Sequence, residues 1–183
     1  MTKKALIIAF TAGLAVAGGA AFAQQIAIGS ASTTAVYIAK EDFAKAVMAR
    51  AAGTGLAGLG AVKAGDDRIN VDVLKRTDPN GEGPVIHEKV TEVYYVLDGG
   101  GMFETGGSIP DAQPMLGPDK LPLNPANIGP SKSGKVINGG TLHHLGVGDV
   151  VMIPPNTPHR FKTLDGSVTY MVIRVNPGYE KGR

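Results

Sequence analysis

The sequence predicts an all-β domain, an antiparallel sandwich or barrel, and three observations predict it. Short runs rich in Val, Ile, Tyr and Thr recur from residue 68 to 175, and they alternate with period two. Turn residues separate them, within a chain of 183 residues that holds 26 Gly and 12 Pro. Outside one N-terminal helical stretch, no segment suggests the helical crossover that a parallel sheet requires.

Lys3-Lys4, the apolar run Ala5 to Ala20 and Ala21-Phe22-Ala23 have the form of a secretory signal peptide cleaved before Gln24. A membrane anchor is the alternative, but Gly18-Gly19 and the small-x-small site favour cleavage, so residues 1–23 are expected to be removed. The expected location is periplasmic or secreted. Removing Lys3 and Lys4 from the 18 basic residues leaves 16, matching the 16 acidic ones. A neutral mature chain gives no electrostatic reason to expect a nucleic acid, or a membrane after signal cleavage, as partner. With no cysteine, neither disulfides nor thiolate chemistry arise.

Residues 24–66 read as an arm and a helix. Gln24 to Thr34 is small and polar, and Val36-Tyr37-Ile38 resembles a short strand. The helix runs from Lys40 to Ala52: Phe43, Val47 and Ala51 recur at helical spacing, and Glu41 and Asp42 occupy its first turn. Gly53 to Gly65 reads as a glycine-spaced connector. Residues 67–176 form the β domain and 177–183 a tail. Ile69, Val71 and Val73 alternate with Asn70, Asp72 and Leu74 on a first, half-buried strand. Val85 to Leu97 is a second, with Gly99-Gly100-Gly101 as a hairpin turn leading to Met102 and Thr105. The segment 108–130 carries six of the twelve prolines and is expected to be an irregular excursion beside the barrel mouth. Lys135 to Ile137, Thr141 to Leu145, Val150 to Ile153, His159 to Thr163 and Val168 to Val175 complete the strands.

The chemistry gathers around four histidines: His87, His143, His144 and His159. His159 follows Val150-Val-Met-Ile-Pro-Pro155, a short buried strand with a stiff exit in which Asn156 suits a left-handed backbone. His87 and Glu92 lie on the second strand. Two imidazoles and one carboxylate on neighbouring strands match a facial triad for Fe(II), Mn(II) or a similar ion with open positions. His159 could instead be structural, bonded to a turn carbonyl. His143 and His144 are adjacent, so at most one can enter a barrel, and both are expected to be solvated. Tyr94, Tyr95 and Tyr170 read as packing residues. Arg174, inside the apolar run Tyr170 to Val175, needs an anion if it is buried.

Gly148, Pro154 and His159 match the second motif of the cupins, a family of small jelly-roll β-barrels, with Asn156 replacing its second Gly and Thr163 its final Asn. His87, Glu92 and Gly99 match the second His, the Glu and the last Gly of the first motif, and Val85 takes its first His position. The chain therefore resembles a cupin over roughly Asp67 to Asn176. The resemblance implies an antiparallel jelly-roll, cupin-type β-barrel, here with a short N-terminal helix. It further implies a divalent transition metal (Fe, Mn, Ni or Zn) held by His87, Glu92 and His159. Five residues separate His87 from Glu92, so a regular strand would aim them at opposite faces; the motif implies a bulge between Glu88 and Thr91.

Two functions follow from this reading. One is a metal-dependent protein acting on a small organic molecule, of oxygenase or isomerase type. The other is a non-catalytic periplasmic barrel that binds a small molecule without metal. A homodimer is compatible with either.

Overall fold

The computed structural model describes residues 31–51, 55–78, 80–81, 83–117, 119–122 and 125–181. The expected signal segment 1–23 lies outside the described residues. Among the described residues one helix, α1 (Lys40–Ala51), precedes nine strands: β1 (Gly55–Ala64), β2 (Asp67–Arg76), β3 (Val85–His87), β4 (Thr91–Thr105), β5 (Gln113–Pro114), β6 (Ser131–Ser133), β7 (Thr141–Leu145), β8 (Val150–Ile153) and β9 (His159–Asn176). Every pairing between these strands is antiparallel. The architecture is an all-β antiparallel barrel with one short helix.

Two long strands carry the barrel. β4 runs antiparallel to β9 from Thr91↔Val175 to Thr105↔His159, with register shifts near Val96, Gly99 and Met102. β2 covers the far half of β9, β8 and β7 cover β4, and β3 meets β9 at Val85↔His159 and β6 along its whole length. Glycine makes the bend in β4 feasible. Gly99 has φ +69°. A Cβ at Gly99, Gly100 or Gly101 would collide with the carbonyl oxygens of Ser167, Leu145 and Thr163 respectively. The glycine triplet is therefore the interior of a strand and not the hairpin turn its composition suggests.

Four other expectations change. Gly53 to Gly65 contains β1, which pairs with β2. Its Gly60 lets Val36 and Ile38 lie close, since an added Cβ would come within 2.9 Å of Val36 Cγ1. Those arm residues are not a strand; they cover the face of β2 that carries Val71, the partner of Gly60. Lys135 to Ile137 does not pair; the strand is Ser131–Ser133, and the Lys135 N–H donates to the Asp111 carboxylate instead. The two strands expected between His159 and Val175 are one, β9.

The inner face grades from polar to apolar. Asn70, Arg174 and Glu92 form one cross-strand row over β2, β9 and β4; Asp72, Val172 and Tyr94 form the next; Leu74, Tyr170 and Val96 the one after. The alternation read in β2 is correct in period, yet the barrel-facing side is the one with Asn70 and Asp72, both buried. Below them Phe103, Phe161, Leu164 and Val168 close an apolar core, with Phe103 and Phe161 edge to face at 5.1 Å. Each such side chain contributes roughly 1.5–3 kcal/mol by leaving water.

The proline-rich segment is irregular apart from β5 and is anchored to the barrel. Ser108 pairs with Asn138, β5 pairs with β6, and Ile109 and Met115 are buried. Its end lies beside β3, where the carbonyls of Ile128 and Gly129 accept the Ser131 hydroxyl.

Candidate metal centre

The site is assembled at the polar end of the barrel. Residues 88–90 interrupt the β3–β4 path as a bend, with Val90 buried and the Glu88 N–H bonded to the Pro130 carbonyl. This break is larger than the one-residue bulge expected, but its effect is the same: His87 and Glu92 face one point. The stiff turn after β8 supplies the third residue. Asn156 is left-handed at φ 60°, and its N–H donates to the His87 carbonyl at 2.9 Å, tying the turn to β3. His159 then opens β9 opposite Val85.

His87, Glu92 and His159 are all buried, and one donor atom from each lies within 4.8 Å of the others. Glu92 Oε2 is 3.1 Å from His159 Nε2 and 3.5 Å from His87 Nε2. Two atoms bound at about 2.1 Å to one ion lie about 3.0 Å apart at a right angle and about 3.4 Å apart at a tetrahedral angle. The two carboxylate–imidazole spacings, 3.1 and 3.5 Å, lie close to that range.

Surrounding groups fix which nitrogen faces inward. His159 Nδ1 lies 2.9 Å from the Thr157 carbonyl, which can only accept, so Nδ1 carries the proton and Nε2 presents a lone pair. His87 Nδ1 lies 2.8 Å from Ser131 Oγ, whose own proton faces the Ile128 and Gly129 carbonyls; Nδ1 therefore donates, and Nε2 is again free. Burial lowers the His87 pKa to about 4, against the opposing pull of Glu92, so the ring is neutral at physiological pH. Among the described residues, His159 Nε2 has no hydrogen-bond partner although it is buried. The Nε2 atoms of both imidazoles and Glu92 Oε2 thus converge in one buried place, an arrangement that a divalent cation satisfies.

Glu92 is held from behind. Arg174 Nε donates to Oε1 at 2.6 Å and the Tyr94 hydroxyl donates to Oε2 at 3.1 Å. Burial alone would raise the Glu92 pKa; His87 when charged and Arg174 outweigh it and hold the carboxyl well below its usual range. Since His87 is neutral above about pH 4, Arg174 is the cation that acts at neutral pH. Arg174 Nη1 also donates to Asp72 Oδ2 at 2.7 Å, and Asn70 Nδ2 donates to the same oxygen at 2.6 Å. Burial raises the Asp72 pKa, with Arg174 pulling against it.

The three residues read from the sequence are therefore brought together. Val85 shares a face with His87, two residues on, and with His159, its cross-strand partner. His143 and His144 are exposed on β7, where His144 pairs with Asp165 at 2.8 Å. The anions for buried Arg174 are the protein's own Glu92 and Asp72, not a ligand carboxylate. Asn70, Asp72, Tyr94 and Ser131 were not assigned to the site by sequence reasoning. The polar face of an otherwise apolar β2 was the signal for the first two; Ser131 gave none.

An antiparallel β-barrel with three metal-type donors at one end is what fold and site define. No protein-family model matches the sequence, and neither does any curated protein. Solved structures similar to the chain include an oxalate oxidase in complex with the substrate analogue glycolate, at 16% identity and TM-score 0.42, covering 69% of this chain and 52% of that one. A DMSP lyase from Ruegeria pomeroyi is 18% identical at TM-score 0.41, covering 71% and 54% respectively. KdgF from a Halomonas species is 16% identical at TM-score 0.38, covering 67% and 79%. The chain spans about half the length of the first two.

Proposed function

We propose that this protein is an exported metal-binding cupin that holds one divalent transition ion on His87, Glu92 and His159 and acts there on a small organic molecule. The observation that carries the reading is the convergence of buried His87, Glu92 and His159 donor atoms within 4.8 Å of one another. When bound, the ion would supply Lewis acidity, and redox capacity if it is iron or manganese, at positions the three residues leave open. The chain's own groups orient that chemistry. Ser131 and the Thr157 carbonyl fix both imidazole tautomers, Arg174 fixes the carboxylate, and Tyr94 and Phe103 flank His159 with ring centroids 6.2 Å away, keeping its surroundings dry.

One observation favours the second reading, a metal-free barrel that binds a small molecule: Glu92 already has Arg174 and Tyr94 as partners. Elemental analysis of protein recovered from the periplasm of an expressing host separates the two. One equivalent of a transition metal, lost in the His159→Ala variant, supports the proposal. Metal-free protein that takes up none of Fe(II), Mn(II), Ni(II) or Zn(II) overturns it. Intact mass of the same sample tests export: the expected chain begins at Gln24, and full-length protein in the membrane fraction would contradict it.

A further inference from the structure

Arg174 bridges two buried carboxylates of the barrel. It sits between Asn70 and Glu92 in a single cross-strand row, buried at 3% exposure, with one arm on Glu92 Oε1 at 2.6 Å and another on Asp72 Oδ2 at 2.7 Å. A fully buried guanidinium is costly unless its geometry is well matched, so its place here is set by these two carboxylates. For the centre this has two consequences. Oε1 is engaged, so Glu92 can offer only Oε2, and Oε2 already accepts from Tyr94. A guanidinium within hydrogen-bond reach of the carboxylate also withdraws much of the negative charge that would otherwise draw in a cation.

We propose that Arg174 is the positioning residue that decides which ion the centre accepts. It reduces Glu92 to a single-oxygen, charge-poor donor beside two imidazoles, and so makes the site select a nitrogen-preferring divalent ion such as Zn(II), Ni(II) or Fe(II) over an oxygen-preferring one such as Mn(II) or Mg(II). This inference rests on reading His87, Glu92 and His159 as a metal centre. Val85 reinforces it, because the register position beside His159 that could have carried another donor is apolar.

The test compares Zn(II) and Mn(II) affinities of the metal-free mature protein, by competition with a fluorescent chelator and by the Mn(II) electron paramagnetic resonance signal. Removing Arg174 alone would strand two buried carboxylates, so the variants are Asp72→Asn/Arg174→Met and Asp72→Asn/Arg174→Gln. In each, Glu92 is free to offer both oxygens with its full charge. Mn(II) affinity is expected to rise more than Zn(II) affinity, lowering the Zn/Mn selectivity by about tenfold or more, a shift of about 1.4 kcal/mol. Asp72→Asn alone keeps Arg174 and leaves Glu92 as its only carboxylate, so selectivity should move the opposite way. That single variant decides the matter if the double ones do not fold. Selectivity within about threefold of wild type in the folded variants overturns the role of Arg174 while leaving the metal centre standing. A wild-type protein that binds neither ion overturns the centre itself, and this inference with it.

Discussion

At the residue scale, the donors and their supports separate cleanly. The His159 side chain bonds the Thr157 carbonyl and is buried against Tyr94 and Phe103, so its truncation costs about 2–3 kcal/mol. To the proposed centre it would contribute a ligand. His159→Ala and His87→Ala should therefore lower metal affinity by more than about 100-fold while circular dichroism stays native, and His144→Ala, at an exposed pair with Asp165, should change neither. Acid sensitivity follows from the same residues. His87 titrates at about 4 in the fold and near 6.5 unfolded, so between those values only the unfolded chain takes up the proton. The metal-free protein should thus hold its full stability above about pH 6.5 and lose roughly 3 kcal/mol as pH falls to 4. Glu92, whose folded pKa is depressed, adds to the loss below its ordinary range. Thermal unfolding at stepped pH measures this, and His87→Gln should flatten the upper part of the curve.

At the scale of elements, glycine separates what was legible from what was not. β7 and β8 fall where period and turn residues put them, and α1 begins at Lys40 as expected, its expected last residue Ala52 lying outside the described residues. The second motif places His159 because its prolines and Asn156 fix a local shape, which is what a sequence can encode over short range. The connector at Gly53 to Gly65 and the triplet at Gly99 to Gly101 were misread for one reason. Composition registers glycine as a turn, whereas Gly60 marks close approach of the arm residues Val36 and Ile38, and Gly99 to Gly101 that of β7 and β9, far away in sequence. Arg174 was legible as an anomaly, but its partner Asp72 is 102 residues distant. The two roles of glycine make different predictions. Gly99→Ala meets both a positive φ and the Ser167 carbonyl, and should cost at least about 2 kcal/mol. Gly106→Ala, at φ +79° with open space around it, should cost only about 1 kcal/mol. Denaturant midpoints of the two variants check the contrast; equal losses would mean that the bend in β4 tolerates a side chain.

For the whole molecule, the feature with the widest reach is β9, which pairs with β2, β3 and β4 and brings His159 and Arg174 to partners many residues upstream. Contacts so distant in sequence form late, because the loops they close must be ordered before the pairing is rewarded. A chain lacking this last stretch has Glu92 without its counter-charge and His87 without its fellow donor. It holds no centre at all. Refolding of metal-free protein should accordingly proceed at one rate with or without Zn(II), with the ion slowing only unfolding; a refolding rate that climbs with Zn(II) concentration would show the donors meeting earlier. For the exported chain proposed above, which would cross a membrane before it folds, the centre would fill only at the destination. The compartment of maturation would then set which ions are on offer, and Arg174 which of them the site takes.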